Sequence, residues 1–226
     1  MLRRLATAVL VVLVAGACSA IPPARPATPK PATAPPVSGL APGTYTSRAF
    51  APAVTYTLPA GWTNPVDGPT YFQLAPAGSE IAGIHLFRDP VAASQDPQCP
   101  EAAEPNVGHT STELTTWIRA RPGLTVVGPK IVMVGGMRGV ELDISIADGW
   151  KASCPFANGS PTVALFVGSK NEFRWVVAGN ERLRVDLIDL PGGGLLVVDV
   201  DAFDGSVFNQ LVADAAPIVT SMSFAR

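Results

Sequence analysis

From Thr44 to Phe87 the apolar positions come in short runs, Thr44–Phe50, Ala53–Leu58, Thr70–Leu74 and Ile81–Phe87. Pro52, Pro59-Ala60-Gly61, Pro65 and Gly78 separate them, and runs this short between turn residues predict strands. Residues 89–108 break the pattern: Pro, Asp, Gln and Ala dominate, Cys99 lies among them, and the stretch reads as a long loop. The period then changes. Leu114, Trp117 and Ile118 fall at i, i+3 and i+4, Thr110 and Glu113 have capping-box spacing, and Arg119 and Arg121 precede a stop at Pro122. That pattern predicts a helix with the three apolar residues as its core stripe. Strands return at Leu124–Val127, Ile131–Val134 and Met137–Ile146, with Gly135-Gly136 as a hairpin turn. In the last of these Val140, Leu142, Ile144 and Ile146 alternate with Glu141, Asp143 and Ser145, which gives one buried and one wet face. A second loop, 148–160, carries Cys154 and a turn at Asn158-Gly159, and Pro161–Val167 with Phe173–Val177 read as the next hairpin.

Arg182–Leu190 and Leu195–Ala202 flank Pro191-Gly192-Gly193-Gly194 and predict a further hairpin. An even-numbered loop sets Leu183 opposite Ala202, Val185 opposite Val200 and Leu187 opposite Val198. The same register places Arg184 opposite Asp201 on the outer face, whereas a one-residue slip would set Val185 against an aspartate. A terminal helix is expected from about Ser206, capped by Asp204 or Ser206, with Phe208, Leu211 and Val212 buried and Pro217 bending or restarting it. Thr220–Phe224 ends the chain with strand-like alternation. Strands, helix, many strands, helix, without βαβ alternation, predict an α+β domain: a mostly antiparallel sheet flanked by helices.

The first residues have a different pattern. Arg3 and Arg4 precede the apolar run Leu5–Val14, and Ala15-Gly16-Ala17 supplies small residues before a cleavage point, which is the three-part export signal. Cys18 follows directly. A small-small-Cys ending resembles the lipobox of bacterial lipoproteins, with Ala15 where Leu is usual. The chain has 3 cysteines, Cys18, Cys99 and Cys154. In an oxidising compartment an odd cysteine requires an explanation; acylation of Cys18 leaves Cys99 and Cys154 to pair as a disulfide. Residues 19–38 are rich in Pro and Ala, a composition that favours extended polyproline II, and at about 3.1 Å per residue would span up to roughly 60 Å. The expected organisation is a signal peptide at 1–17, an acylated cysteine and disordered linker at 18–39, and one globular domain at 40–226.

A family resemblance lies in Thr57-Leu58-Pro59-Ala60-Gly61-Trp62, in Leu114-Thr115-Thr116-Trp117-Ile118 and in the run from Gly123 to Pro129. It continues through Val134–Asp143 and the closing Phe208 and Ile218–Phe224. These residues resemble the Mog1/PsbP-like domain of bacterial envelope lipoproteins of the LpqN kind, across most of residues 43–226. They are spaced apolar and glycine positions, markers of a fold. The resemblance implies an α/β/α sandwich and an extracytoplasmic accessory or binding role, and it supplies no catalytic residue to carry over.

Composition narrows the function further. The chain is 47% hydrophobic and 15% charged, with 16 Lys+Arg against 18 Asp+Glu, 23 Pro and 21 Gly. That excludes a coiled coil, and without a basic run to neutralise phosphates nucleic acid is not an expected partner. No apolar stretch reaches the ~18–20 residues of a membrane-spanning helix. Only His85 and His109 are available as histidine ligands or bases, and neither has ligand spacing, so no metal or other cofactor is expected. His85 alternates with Ile84 and Leu86 and is expected to face solvent or a polar spot. Asp199-Val200-Asp201-Ala202-Phe203-Asp204 approaches a calcium loop but puts Phe203 at the third ligand position, so a strand and a cap are expected instead. No G-x-S-x-G is present, and Ser111 near His109 reads as a cap residue beside a loop histidine. The candidate ligand or partner surface is Trp150, with Trp62 and His109, while Trp175 is a further indole that a groove would use. The expectation is a membrane-anchored, non-catalytic binding or accessory lipoprotein, held to the bilayer by acylated Cys18 and taking an envelope protein or small apolar ligand. The alternatives are a hydrolase with a non-standard site in the 89–110 and 148–160 loops, and a structural envelope spacer.

Overall fold

A computed structural model describes residues 39–79, 81–170 and 173–225. The signal, Cys18 and residues 19–38 lie outside the described residues. In chain order the elements begin with β1 (Gly43–Thr46), β2 (Val54–Leu58), β3 (Trp62–Asp67), β4 (Tyr71–Pro76), β5 (Gly83–Arg88) and β6 (Pro90–Ala92). Helix α1 (Ser111–Arg119) precedes β7 (Leu124–Val134), β8 (Met137–Ile146), β9 (Thr162–Gly168) and β10 (Arg174–Ala178). The chain closes with β11 (Arg182–Asp189), β12 (Leu195–Ala202), α2 (Phe208–Ser221) and β13 (Ser223–Phe224).

The central sheet has seven strands in the order β3-β4-β5-β12-β11-β8-β7, and every neighbouring pair is antiparallel. One face carries Phe72, Leu74, Ile84, Leu86, Val198 and Val200, packed on Val54, Tyr56 and Leu58 of β2 and on Phe208, Leu211, Ala215 and Ile218 of α2. The other carries Phe87, Leu142, Ile144, Leu183, Val185, Leu187 and Val197, packed on Leu114, Trp117 and Ile118 of α1 and on Val163 and Leu165 of β9. Each face is therefore covered by one helix and one small sheet, β1-β2-β13 on the first and β10-β9-β6 on the second.

This corrects the expected fold class. The domain is a β-rich sandwich of antiparallel sheets, not a sheet flanked by helices and not an α/β/α sandwich. The reason is reach. Helices of 9 and 14 residues are about 14 and 21 Å long, while seven strands at about 4.8 Å spacing span nearly 30 Å. Strands have to cover the rest of both faces. One covering strand, β6, and one edge of the central sheet, β3, lie in segments that read as loop and turn.

Local predictions fare better. α1 has the capping box: the Thr110 hydroxyl accepts from the Glu113 N–H while the Glu113 carboxylate accepts from the Thr110 N–H. Asp189 at the end of β11 seats the helix, accepting from the Ser111 N–H at 2.8 Å and its hydroxyl at 2.6 Å. The two expected strands at 124–134 are one strand with a bulge between Val127 and Lys130, at Gly128-Pro129. α2 starts later than expected, with Val207 at the N-cap making no side-chain cap, and it continues through Pro217 to Ser221. Gly135 and Gly136 both have positive φ in the β7–β8 turn, and a Cβ on Gly135 would come within 2.5 Å of the Phe224 ring. Both edges of the central sheet, β3 and β7, contain a proline at a bulge, which blunts them against further pairing.

Cys99 and Cys154 are bonded to each other, with their Cα atoms 5.6 Å apart. The bridge joins the 89–110 and 148–160 loops across a sequence separation of 55. In the chain-entropy account a loop of that size is worth about 4 kcal/mol. The Cys99→Ala/Cys154→Ala chain is expected to lose stability on that scale in urea denaturation; unchanged midpoints would refute the bridge's role.

Candidate functional site

The β11–β12 ladder pairs Leu183 with Asp201, Val185 with Asp199 and Leu187 with Val197, around a five-residue loop at 190–194. This is the one-residue slip that the apolar pattern disfavours, and it corrects the expected register. β12 also pairs β5, and all eight of its residues are buried, so the strand has no wet face to offer its aspartates. Asp199 and Asp201 point into the layer beneath β9 and β10, beside His85 and Gln73 in the neighbouring strands. His85, expected to face solvent or a polar spot, is 1% exposed.

The chemistry of this buried layer follows from its hydrogen bonds. The Trp175 indole N–H donates to Asp199 Oδ2 at 2.7 Å and links β10 to β12. Glu181 Oε2 accepts from the Ala178 N–H at 2.7 Å. Asp199 Oδ1 has no partner, and no hydrogen bond of good geometry reaches either carboxyl oxygen of Asp201. Among the described residues no ion pair involves Asp199, Asp201 or Glu181. A buried carboxylate without a cation is costly, so the proton stays on. Burial, then the charges of Asp199 and Glu181, pushes Asp201 up to about 10. Burial above all raises Glu181 and holds Asp199 well above the ordinary carboxyl range. His85 Nε2 lies 2.9 Å from the Ile81 carbonyl, which only accepts, so Nε2 carries the hydrogen and Nδ1 accepts from the Tyr71 hydroxyl at 2.9 Å. Burial draws His85 down to about 4 and keeps it neutral. On the opposite face Asp186 stands across from Glu141, and burial followed by that charge lifts it to about 7. Beside it Arg184 holds Asp143 with two bonds of 2.7 and 2.9 Å.

This layer is a packed one. Tyr71, Phe87, Phe173 and Trp175 close over it, with ring centroids 4.9 to 6.3 Å apart. Among the described residues no group of three His, Cys, Asp or Glu side chains is arranged to hold a metal ion. An open cavity lies elsewhere, at the end of the sandwich where the β7–β8 and β11–β12 hairpins turn. It is a groove of about 630 Å³ lined by Met137, Leu190, Phe224, Gly136, Gly192 and Arg88, among others. Arg88, the one charged residue in its wall among the described residues, is held by Asp89 at 2.7 Å and by the Gly193 carbonyl at 3.4 Å. Apolar walls with one fixed guanidinium suit a small ligand more than a reaction.

The residues singled out in the sequence are not brought together. Trp62 is buried in the core at the start of β3. His109 is exposed ahead of the α1 cap. Trp150 is half-buried; its indole N–H donates to the Thr162 carbonyl at 3.1 Å, and a Cβ on Gly123 would come within 2.6 Å of its ring. It lines a second cavity of about 300 Å³ with Asp96, Cys99, Arg121 and Ser153, between the two loops joined by the disulfide. Of the three, Trp150 alone lines one of these cavities. Sequence reasoning missed the groove, whose walls come from turn tips with only their glycines as a signal.

No family model matches the sequence, and no curated protein matches it. The fold is similar to the solution structure of cyanobacterial PsbP (CyanoP) from Synechocystis sp. PCC 6803, at 8% identity. The likeness covers 87% of this chain and 100% of that one with a TM-score of 0.42.

The buried acids have a consequence for stability. Above about pH 4 the unfolded chain releases protons that Asp186, Asp199, Asp201 and Glu181 retain when folded, so their contribution is full in acid and declines as pH rises. His85 works the other way between 6.5 and about 4, where only the unfolded chain takes up its proton. Each proton held by the folded state alone amounts to about 1.4 kcal/mol per pH unit. The Asp199→Asn/Asp201→Asn chain is expected to lose less stability than wild type between pH 5 and pH 9, by up to this slope for each of the two protons removed. Urea midpoints measured across that range check it, and parallel curves for the two chains would refute it.

Proposed function

We propose that this chain is an exported lipoprotein of the cell envelope, acylated at Cys18 and tethered to the outer face of the membrane through its Pro/Ala-rich linker. Its β-rich domain binds without catalysis. The carrying observation is cysteine parity: Cys99 and Cys154 are taken up by each other, which leaves Cys18, directly after a signal-like segment, as the odd thiol. An exposed odd thiol in an oxidising compartment is a liability that thioether linkage to lipid removes. The Mog1/PsbP-like envelope lipoproteins of the LpqN kind are the relatives this reading proposes.

The groove between the hairpin tips supports the binding role and favours it over that of a plain spacer. Its volume and mostly apolar wall fit a small apolar ligand. A hydrolase is less well supported, because His109 stands exposed and joins no acidic pair in a cavity.

Labelling with palmitate is expected in the wild-type chain and absent from Cys18→Ala; equal labelling of both would reject the tether. The groove is tested separately with N-phenyl-1-naphthylamine, a neutral apolar fluorophore. Gly192 borders the groove and a Cβ there meets nothing within 4 Å, so Gly192→Trp adds an indole at the groove's rim with no clash at its Cβ. Saturable binding to wild type, about tenfold weaker in Gly192→Trp, is the expected result, a difference of about 1.4 kcal/mol. Equal affinities would place the ligand elsewhere.

A further inference from the structure

Eight large apolar residues are exposed among the described ones, and four of them gather at one end of the central sheet. Leu40 is 37% exposed, Ile81 50%, Phe203 60% and Val207 51%. Of the others, Val127, Ile131 and Met133 lie along the edge strand β7 and Phe156 lies under the Arg174 guanidinium.

The backbone fixes the common location of the four. The Leu40 N–H donates to the Trp62 carbonyl, so the chain joins the domain beside the first residue of β3. The Ala77 N–H donates to the Gly61 carbonyl, which ties the β4–β5 loop to the same end. Ile81 and Phe203 each lie two residues beyond the Asp201–Gly83 pair, in the loops just outside the neighbouring strands β5 and β12. Val207 caps α2 four residues further on. From β3 to β12 is three strand spacings, so the apolar end is about 15 Å across. The groove lies at the other end, by the Gly135-Gly136 and Pro191–Gly193 turns.

We infer that this end docks on the lipid bilayer, with Leu40, Ile81, Phe203 and Val207 entering the headgroup–acyl boundary. The occupant is identified by where the chain leads: residues 19–38 run from this end to Cys18, and the tether holds the end within reach of the membrane at high effective concentration. The four side chains are apolar, and the acids beside them in the chain, Glu80 next to Ile81 and Asp204 next to Phe203, favour a neutral headgroup surface over an anionic one. Asp204, the charge within the Phe203–Val207 turn, is engaged by the Asn180 side chain at 3.1 Å and the Ser206 N–H at 2.9 Å. Docking in this orientation points the groove away from the membrane, toward whatever the domain receives. The inference rests on the tether proposed above and adds the face and the orientation.

The test uses the full acylated chain reconstituted into phosphatidylcholine vesicles with and without a doxyl spin label on the acyl chain. Phe203→Trp places an indole in the apolar end, and Met133→Trp places one at an equally exposed position, 60%, beside the far β7–β8 turn. The expected result is about twofold stronger quenching for Phe203→Trp than for Met133→Trp, as for a side chain ~5–10 Å into the interface. Adding Ile81→Ser to Phe203→Trp is expected to weaken that quenching. Equal quenching in the two tryptophan variants, or none in a chain that does take up palmitate at Cys18, overturns the docking and leaves the tether standing. A chain that takes up no palmitate overturns both.

Discussion

β12 runs through the middle of the molecule with both faces covered, and the pairing of β11 along it decides what each face contains. In the observed register every pair from Leu183–Asp201 to Asp186–Val198 joins one polar and one apolar residue. The polar members divide between the faces. Asp199 and Asp201 go under β9 and β10, where protonation and the Trp175 N–H accommodate them. Arg184 and Asp186 go to the α2 side, at a part of the sheet where Glu141 and Asp143 are half-exposed and Arg184 finds Asp143. The alternative register would set Arg184 opposite Asp201 and Asp186 opposite Asp199 over α1, among Leu114, Ile118 and Leu142, where a charged pair would be stripped of water and two acids would face each other. Two neutral acids beside a neutral histidine are the lesser cost, because a protonated carboxyl avoids the desolvation of a charge.

That central constraint also separates the two ends of the domain. At one end the strands run out into tight glycine turns, Gly135-Gly136 and Gly192-Gly193, whose lack of side chains leaves a groove open above Met137, Leu190 and Phe224. At the other, the loops 77–82 and 203–207 carry apolar side chains into solvent where the chain joins the domain. A tethered module has use for such polarity. In the tethered arrangement proposed above, one end would meet the surface that holds the module and the other would face what it binds.

Much of the local structure was legible in the sequence. α1 was readable because its capping box and its i, i+3, i+4 stripe agree, and tertiary contacts had nothing to override. β8 and β12 lie at the residues their alternation marked. The register was not readable, since its logic requires knowing that β12 has no solvent face, and burial on both sides is a property of the assembled sandwich. β3 hid because its residues Thr63, Asn64, Pro65 and Asp67 are those of a blunted edge, and β6 because three residues beside prolines carry no period. The fold class failed for a related reason: the pattern revealed two helices, while nothing in it told that the remaining area of both faces is covered by strands. The candidate site divides in the same way. Pairing of Cys99 with Cys154 followed from counting, whereas the groove is made by turn tips from distant parts of the chain.

The two faces are held together by different means. Under α2 and β2 the contacts are almost wholly apolar, with Phe72, Phe208, Leu58 and Ile84 fully buried. Under β9 and β10 the layer includes Asp199, Asp201, Glu181 and His85, groups that contribute far less on burial than leucine or phenylalanine. The disulfide stands on this second face. It ties the loop after β6 to the loop before β9, and Arg174 of β10 donates to the Cys99 carbonyl at 2.9 Å. A covalent crosslink thus secures the sheet whose underside is least apolar, and it can persist only where the surroundings are oxidising. The fold therefore depends on compartment, which joins the chemistry of the core to the export proposed for this chain.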